Sequence, residues 1–125
     1  MGLIRVPVSL RAALEGNAES YSADFLVDTG STDTLVPGSE LRRLGVRVID
    51  RRRYELADGA VREYEIGLAR VELLDEMTAG RIVFGPDDAE PLLGMVMLES
   101  LGFTIDPVTQ TLKRLPLLPL KLLAA

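Results

Sequence analysis

The sequence predicts a mainly β fold, closed or barrel-like, with one or two short helices. Three observations carry the prediction. Apolar and polar residues alternate in many short runs, the mark of half-buried strands. Only Glu40 to Leu44 and Met95 to Leu101 read as helices, and both are short. Asp58-Gly59 separates two alternating segments, a strong two-residue hairpin signal. With 125 residues, 47% of them apolar, the chain reads as one domain over 1–125 with a core of its own.

Leu3 to Leu10 reads as the first strand, and Pro7, which has no N–H to donate, marks an edge position. Gly16-Asn17 suggests a turn. Tyr21 to Val27 is the next strand and delivers Asp28 at its end. Thr34 to Val36 leads away, and Pro37-Gly38 breaks it. Ser39 is placed to cap the first helix, Arg42 and Arg43 suit its last turn, and Gly45 stops it.

Val46 to Val48 alternates as a strand should. Tyr54 to Leu56 then rises to Asp58-Gly59, and Val61 to Ile66 returns, with Leu68 to Leu74 continuing the alternation. Met77 to Gly80 reads as a turn before a short strand, Arg81 to Phe84. Gly85 to Asp88 is an acidic loop. Leu92-Leu93-Gly94 is a second apolar run, followed by the second helix and its stop, Gly102. Phe103 to Pro107 and Thr109 to Lys113 form a final pair of strands. The tail, Leu115 to Ala125, is rich in Leu with Pro116 and Pro119, and is expected to serve in dimer contact or core packing.

Composition removes several classes of chemistry. The chain has no Cys and no His, so thiol nucleophiles, disulfides, Ser-His-Asp catalysis and zinc held by imidazole or thiolate are out. Lys113 and Lys121 are the only lysines, which leaves Asp and Glu as the main candidates. Aromatics are 5% and the net charge is −5, so no nucleic-acid partner is expected. Arg51-Arg52-Arg53 reads as a solvated face beside Asp50 and Glu55. Arg5, Pro7 and Arg11 interrupt Met1 to Leu14, which does not read as a leader, and no apolar run spans a bilayer. The expectation is a cytoplasmic protein with no membrane span, no cofactor and no metal.

Phe25-Leu26-Val27-Asp28-Thr29-Gly30-Ser31 brings a lone carboxylate to the end of an apolar run. Burying a carboxylate is costly unless it is hydrogen-bonded, paired or protonated. Thr29, Gly30 and Ser31 offer hydroxyls, an amide and close backbone approach. One reading is structural, an Asx turn at a strand end. Another is catalytic, because two such carboxylates in contact share a proton and divide the roles of base and acid. A homodimer would supply the second. A third reading, a phospho-accepting aspartate, lacks the nearby Lys and the alternating strands and helices it would need.

Asp28-Thr29-Gly30-Ser31 resembles the active-site signature of the aspartic proteases. The order of features resembles the single-domain, retropepsin-like branch. Thr34 to Pro37 and a short helix follow the signature, and Asp58-Gly59 tips a mid-chain hairpin. Leu92-Leu93-Gly94 and Met95 to Leu101 are similar to the second family motif. The resemblance implies a closed barrel-like retropepsin fold with a flap hairpin. It implies an aspartic endopeptidase acting as a homodimer on peptide or protein substrates, with Asp28 catalytic in each subunit. Thr29, Gly30 and Ser31 would support the site. Leu56, Ala57, Asp58 and Gly59 of the flap, with Leu92 and Leu93, would meet substrate. Val96 departs from the Asp or Asn of many relatives, and the flap tip lacks the Gly- and Ile-rich sequence of retroviral enzymes. The alternative is a catalytically inactive peptide-binding or assembly module on the same fold.

Overall fold

A computed structural model describes residues 3–123. Nine strands and two helices follow one another along them: β1 Arg5–Ala12, β2 Tyr21–Val27, β3 Thr34–Pro37, α1 Gly38–Arg43, β4 Asp50–Glu55, β5 Val61–Leu73, β6 Glu76–Gly85, β7 Leu92–Leu93, α2 Met95–Ser100, β8 Phe103–Asp106 and β9 Thr111–Arg114. The sheet order is β1-β2-β7-β3-β6-β5-β4, and β1 also pairs with β5. That extra pairing closes six strands into a barrel and leaves β4 outside the ring, attached to β5. No helix among the described residues is long and apolar enough to cross a membrane.

Period-two burial fixes which face of each strand turns inward. Ala69, Val71 and Leu73 of β5 are buried while Arg70 and Glu72 are exposed. The same strand is exposed at its start, Val61 to Glu63, where it belongs to the β4–β5 hairpin. Val8, Leu10, Phe25, Val36, Leu41, Leu93 and Phe103 meet in the core. Pro7 is satisfied by register. Val27 N–H donates to Ile4 O, so residues 4, 6 and 8 face β2 with their hydrogen bonds and Pro7 turns its nitrogen the other way. On that side β5 begins its pairing only at Val8.

Several local expectations are corrected. Val46 to Val48 is not a strand, and regular pairing starts at Asp50. The flap hairpin does not close with a two-residue turn. Leu56 pairs with Ala60 around a three-residue loop, with Gly59 N–H donating to Leu56 O and Gly59 at φ +85°. This is a tight turn followed by a left-handed bulge residue, the other common hairpin closure. Met77 to Gly80 runs inside β6, and the chain turns at Leu74-Asp75. Leu74 takes a positive φ of 55° without being glycine, so the composition gave no signal. Ser39 does not cap α1. The cap position is Pro37, and Asp87 of the acidic loop accepts the Ser39 N–H at 2.8 Å. The tail from Leu115 to Leu123 does not pack into the core. It has no regular structure, and Leu117, Leu120, Leu122 and Leu123 are exposed.

Candidate active site

Asp28 is placed by two neighbouring strands. β7 lies parallel to β2, pairing Leu26 with Leu92 and Val27 with Leu93. The Asp28 N–H donates to Leu93 O at 3.0 Å, which fixes where the aspartate leaves the sheet. Ser31 N–H then donates to Asp28 O at 3.2 Å and closes the turn. The carboxylate holds one donor on each oxygen: Gly30 N–H on Oδ1 at 3.0 Å and Ser31 Oγ–H on Oδ2 at 3.3 Å. Asp28 is half-buried, so it is neither deeply buried, as the apolar run suggested, nor fully washed. Thr29 and Gly30 are exposed at the turn's tip.

The N-terminal end of α2 backs this turn. Met95 N–H donates to Ser31 O and Val96 N–H to Thr32 O, at 2.8 and 3.1 Å. Gly94 N–H donates to the buried Thr34 Oγ1 at 3.0 Å. A side chain at Gly94 has no room, because a Cβ there would lie 2.4 Å from Asp33 O. The second apolar motif therefore holds the first by backbone contact. That is why glycine follows the apolar pair Leu92-Leu93.

Above the turn lies a cleft of about 740 Å³. Asp28, Gly30 and Ser31 line it on one side, Arg53 to Ala57 of the flap on the other, with Leu35, Val83 and Leu92 between them. Among the sequence candidates, Asp28, Gly30, Ser31, Leu56, Ala57 and Leu92 come together here. Thr29, Asp58 and Gly59 do not line it in the single chain. Leu93 is fully buried and turns into the core, so it supports Asp28 through its carbonyl and forms no pocket wall. The basic run is solvated as expected, although Arg53 also faces the cleft.

Asp33 and Tyr54 were not singled out by the sequence. Tyr54, on β4, donates its hydroxyl to Asp33 Oδ2 at 2.5 Å. Burial, and then the bond to Asp33, push the Tyr54 hydroxyl well above its ordinary pKa, so it remains a donor at any working pH. Arg81 Nε of β6 lies 3.1 Å from the same oxygen, but its N–H does not point at it. The only signal in the sequence was a second aspartate in the loop after Asp28. Among the described residues no three acidic side chains converge to hold a metal ion.

Comparison with known proteins gives the same picture. The barrel resembles the EIAV protease, solved in complex with the inhibitor HBY-793. The TM-score is 0.56 and the identity 18%, over 81% of this chain and 89% of that one. At that identity the likeness establishes the fold. No curated protein matches the sequence. The family model described as "gag-polyprotein putative aspartyl protease" matches residues 14–100, from before β2 to the end of α2. Having the Asp28 turn, the flap and the second motif within that span, the chain belongs to this family of retropepsin-like aspartic proteases.

Proposed function

We propose that the chain, as one domain, is an aspartic endopeptidase that works as a homodimer. The observation that carries this reading is the position of Asp28. It stands half-buried in the cleft under a flap, with Gly30 and Ser31 orienting its two oxygens. No His or Cys is present to take over the chemistry. In the dimer, Asp28 and its symmetry mate share one proton, since two carboxylates in contact do not both ionise. The ionised member takes a proton from water, which attacks the peptide carbonyl carbon. The protonated member gives its proton to the carbonyl oxygen. Collapse of the tetrahedral intermediate breaks the C–N bond: the proton taken from water passes to the leaving amine, and a hydroxyl proton of the intermediate returns to the carboxylate that had given its own.

Thr29, exposed in the single chain, is left free to meet its mate beneath the dyad. Substrate lies extended between the turn and the flap, held by strand-like hydrogen bonds. Leu56, Ala57 and Leu92 offer apolar surface to its side chains, and Asp58 and Gly59 form the closing tip. The test is digestion of an unfolded protein by wild type and Asp28→Asn from acidic to neutral pH. Cuts made by wild type alone support the reading, and cleavage by Asp28→Asn would end it.

One observation favours the second reading, an inactive peptide-binding or assembly module. The described tail, Leu115 to Leu123, forms no strand that a second copy could pair with. Sedimentation decides between the two, because a strict monomer cannot assemble the dyad.

A further inference from the structure

We propose that Asp33 and Tyr54 form a latch that sets the flap's closed pose over the cleft, Asp33 acting as a positioning residue rather than as a further acid or base. The kinetic part of this proposal rests on the endopeptidase reading, and the structural part does not. Asp33 is the one buried charged residue among those described. A buried carboxylate is retained only where partners offset its lost hydration. Arg81 of β6 lies 3.1 Å from Asp33 as an ion pair, but the carboxylate's hydrogen-bond donor comes from neither its own loop nor the ring of the barrel. It is the Tyr54 hydroxyl, on the strand left outside the ring.

The two ends of this bond differ in rigidity. Asp33 is a fixed post: α2 holds the backbone on its N-terminal side through Ser31 and Thr32, and Gly94 packs directly on its carbonyl. Tyr54 belongs to an arm that pairs with β5 alone. Every other residue of β4 is exposed, and Tyr54 is the half-buried one. A two-stranded arm with one anchored edge has little stability of its own. Tyr54 lies within the flap stretch that lines the cleft, Arg53 to Ala57, and Asp33 lies on the loop that starts at Asp28. The bond therefore sets the height of the flap relative to the candidate catalytic turn. With it in place, the flap meets an extended substrate in a preset pose. Without it, the arm samples open poses and binding weakens.

Tyr54→Phe removes the hydroxyl and keeps the ring, which sits 6.2 Å from Tyr64. Asp33→Asn keeps an oxygen to accept the bond and serves as the conservative variant. Amide hydrogen exchange is read first, because it needs no activity. In Tyr54→Phe the flap amides from Tyr54 to Val61 should exchange at least about fivefold faster, with the Phe25 to Asp28 amides unchanged. Asp33→Asn should stay near wild type. In peptide cleavage, Tyr54→Phe should raise KM about five- to tenfold with kcat within about twofold. Unchanged flap exchange would overturn the latch. So would equal acceleration throughout the barrel, which would make the pair a simple fold stabiliser, or a fall in kcat at constant KM. If wild type cleaves nothing, the endopeptidase reading fails, and the exchange experiment still decides the latch.

Discussion

Asp28 and Asp106 are the same local device in two places. Each ends a strand, each begins a turn, and each is half-buried. Asp28 Oδ1 accepts the N–H two residues on, from Gly30, at 3.0 Å. Asp106 Oδ1 accepts the N–H two residues on, from Val108, at 2.8 Å, and that of Thr109 at 3.3 Å. Both are Asx turns of the kind that strand ends commonly use. What differs is what the fold brings near. Behind Asp28 stand β7 and the start of α2, and above it stands the flap. Asp106 tips the separate β8–β9 hairpin, beside the fully solvated Val108. The structural and catalytic readings of Asp28 were therefore never exclusive. The turn holds the carboxylate, and the tertiary surroundings decide whether it has anything to act on.

The sharpest way to break the comparison is to neutralise each aspartate in turn. Asp28→Asn should lower peptide cleavage about 10³-fold or more, by removing the shared proton's site, with thermal stability little changed. Asp106→Asn should leave kcat/KM within about twofold. Equal losses in the two variants would mean that Asp28 contributes only its turn.

A second pair of substitutions tests the backing. Gly94→Ala would bring a methyl group against Asp33 O and Thr32 O, both backbone atoms. Its cost should be about 1–3 kcal/mol in urea denaturation, with cleavage falling as the Asp28 turn shifts. Val108→Ala, at the other turn, should stay within about 0.5 kcal/mol of wild type. A Gly94→Ala protein as stable and active as its parent would show that the second motif does not hold the first.

Much of the barrel was legible because strand burial repeats every two residues and depends on nearby sequence. β2, β3, β7, α2 and the flap hairpin fell close to where alternation and glycine placed them. The errors share a cause. The Leu74-Asp75 turn and the α1 cap from Asp87 are decided by contacts or conformations that composition does not encode. Gly80 looked like a turn residue, yet it sits within β6 beside Met97 of α2, where a Cβ would make only ordinary contact, so nothing in the packing there requires glycine. The site divides the same way. Asp28, Gly30 and Ser31 form a contiguous motif and could be read directly. Asp33 takes its partners from β4 and β6, so its importance emerges only when the barrel closes.

Alkaline titration separates the latch from both turns. The Tyr54 pKa is raised in the fold, so between the ordinary tyrosine value near 10 and the higher folded value the native state binds more protons than the unfolded chain. Stability from this group is complete below about pH 10 and is lost as the pH rises through the folded value. Wild type should therefore show a steeper fall in Tm above pH 10 than Tyr54→Phe. Parallel curves would mean that the hydroxyl is not held as described.

The smallest effect lies at the acid end and belongs to Asp106. Its pKa is held below the ordinary 3.8, first by the Val108 N–H and then by the Thr109 N–H, both of which favour the charged carboxylate. The sign is opposite to that of Tyr54. The contribution is present above the ordinary carboxylate value and is lost as the pH falls through the depressed one. Wild type should be more stable than Asp106→Asn at neutral pH, because an amide oxygen accepts the same two bonds without the charge. Once the pH has fallen below the depressed value the two should converge. Tm measured from pH 7 to pH 2 reads this directly, and a gap that widened toward acid would mean that the turn does not favour the ionised form. Cleavage followed over the same range should not track that gap, because the Asp106 turn does not line the Asp28 cleft. An activity profile that moved with Asp106→Asn would join the two turns after all and remove the contrast between them.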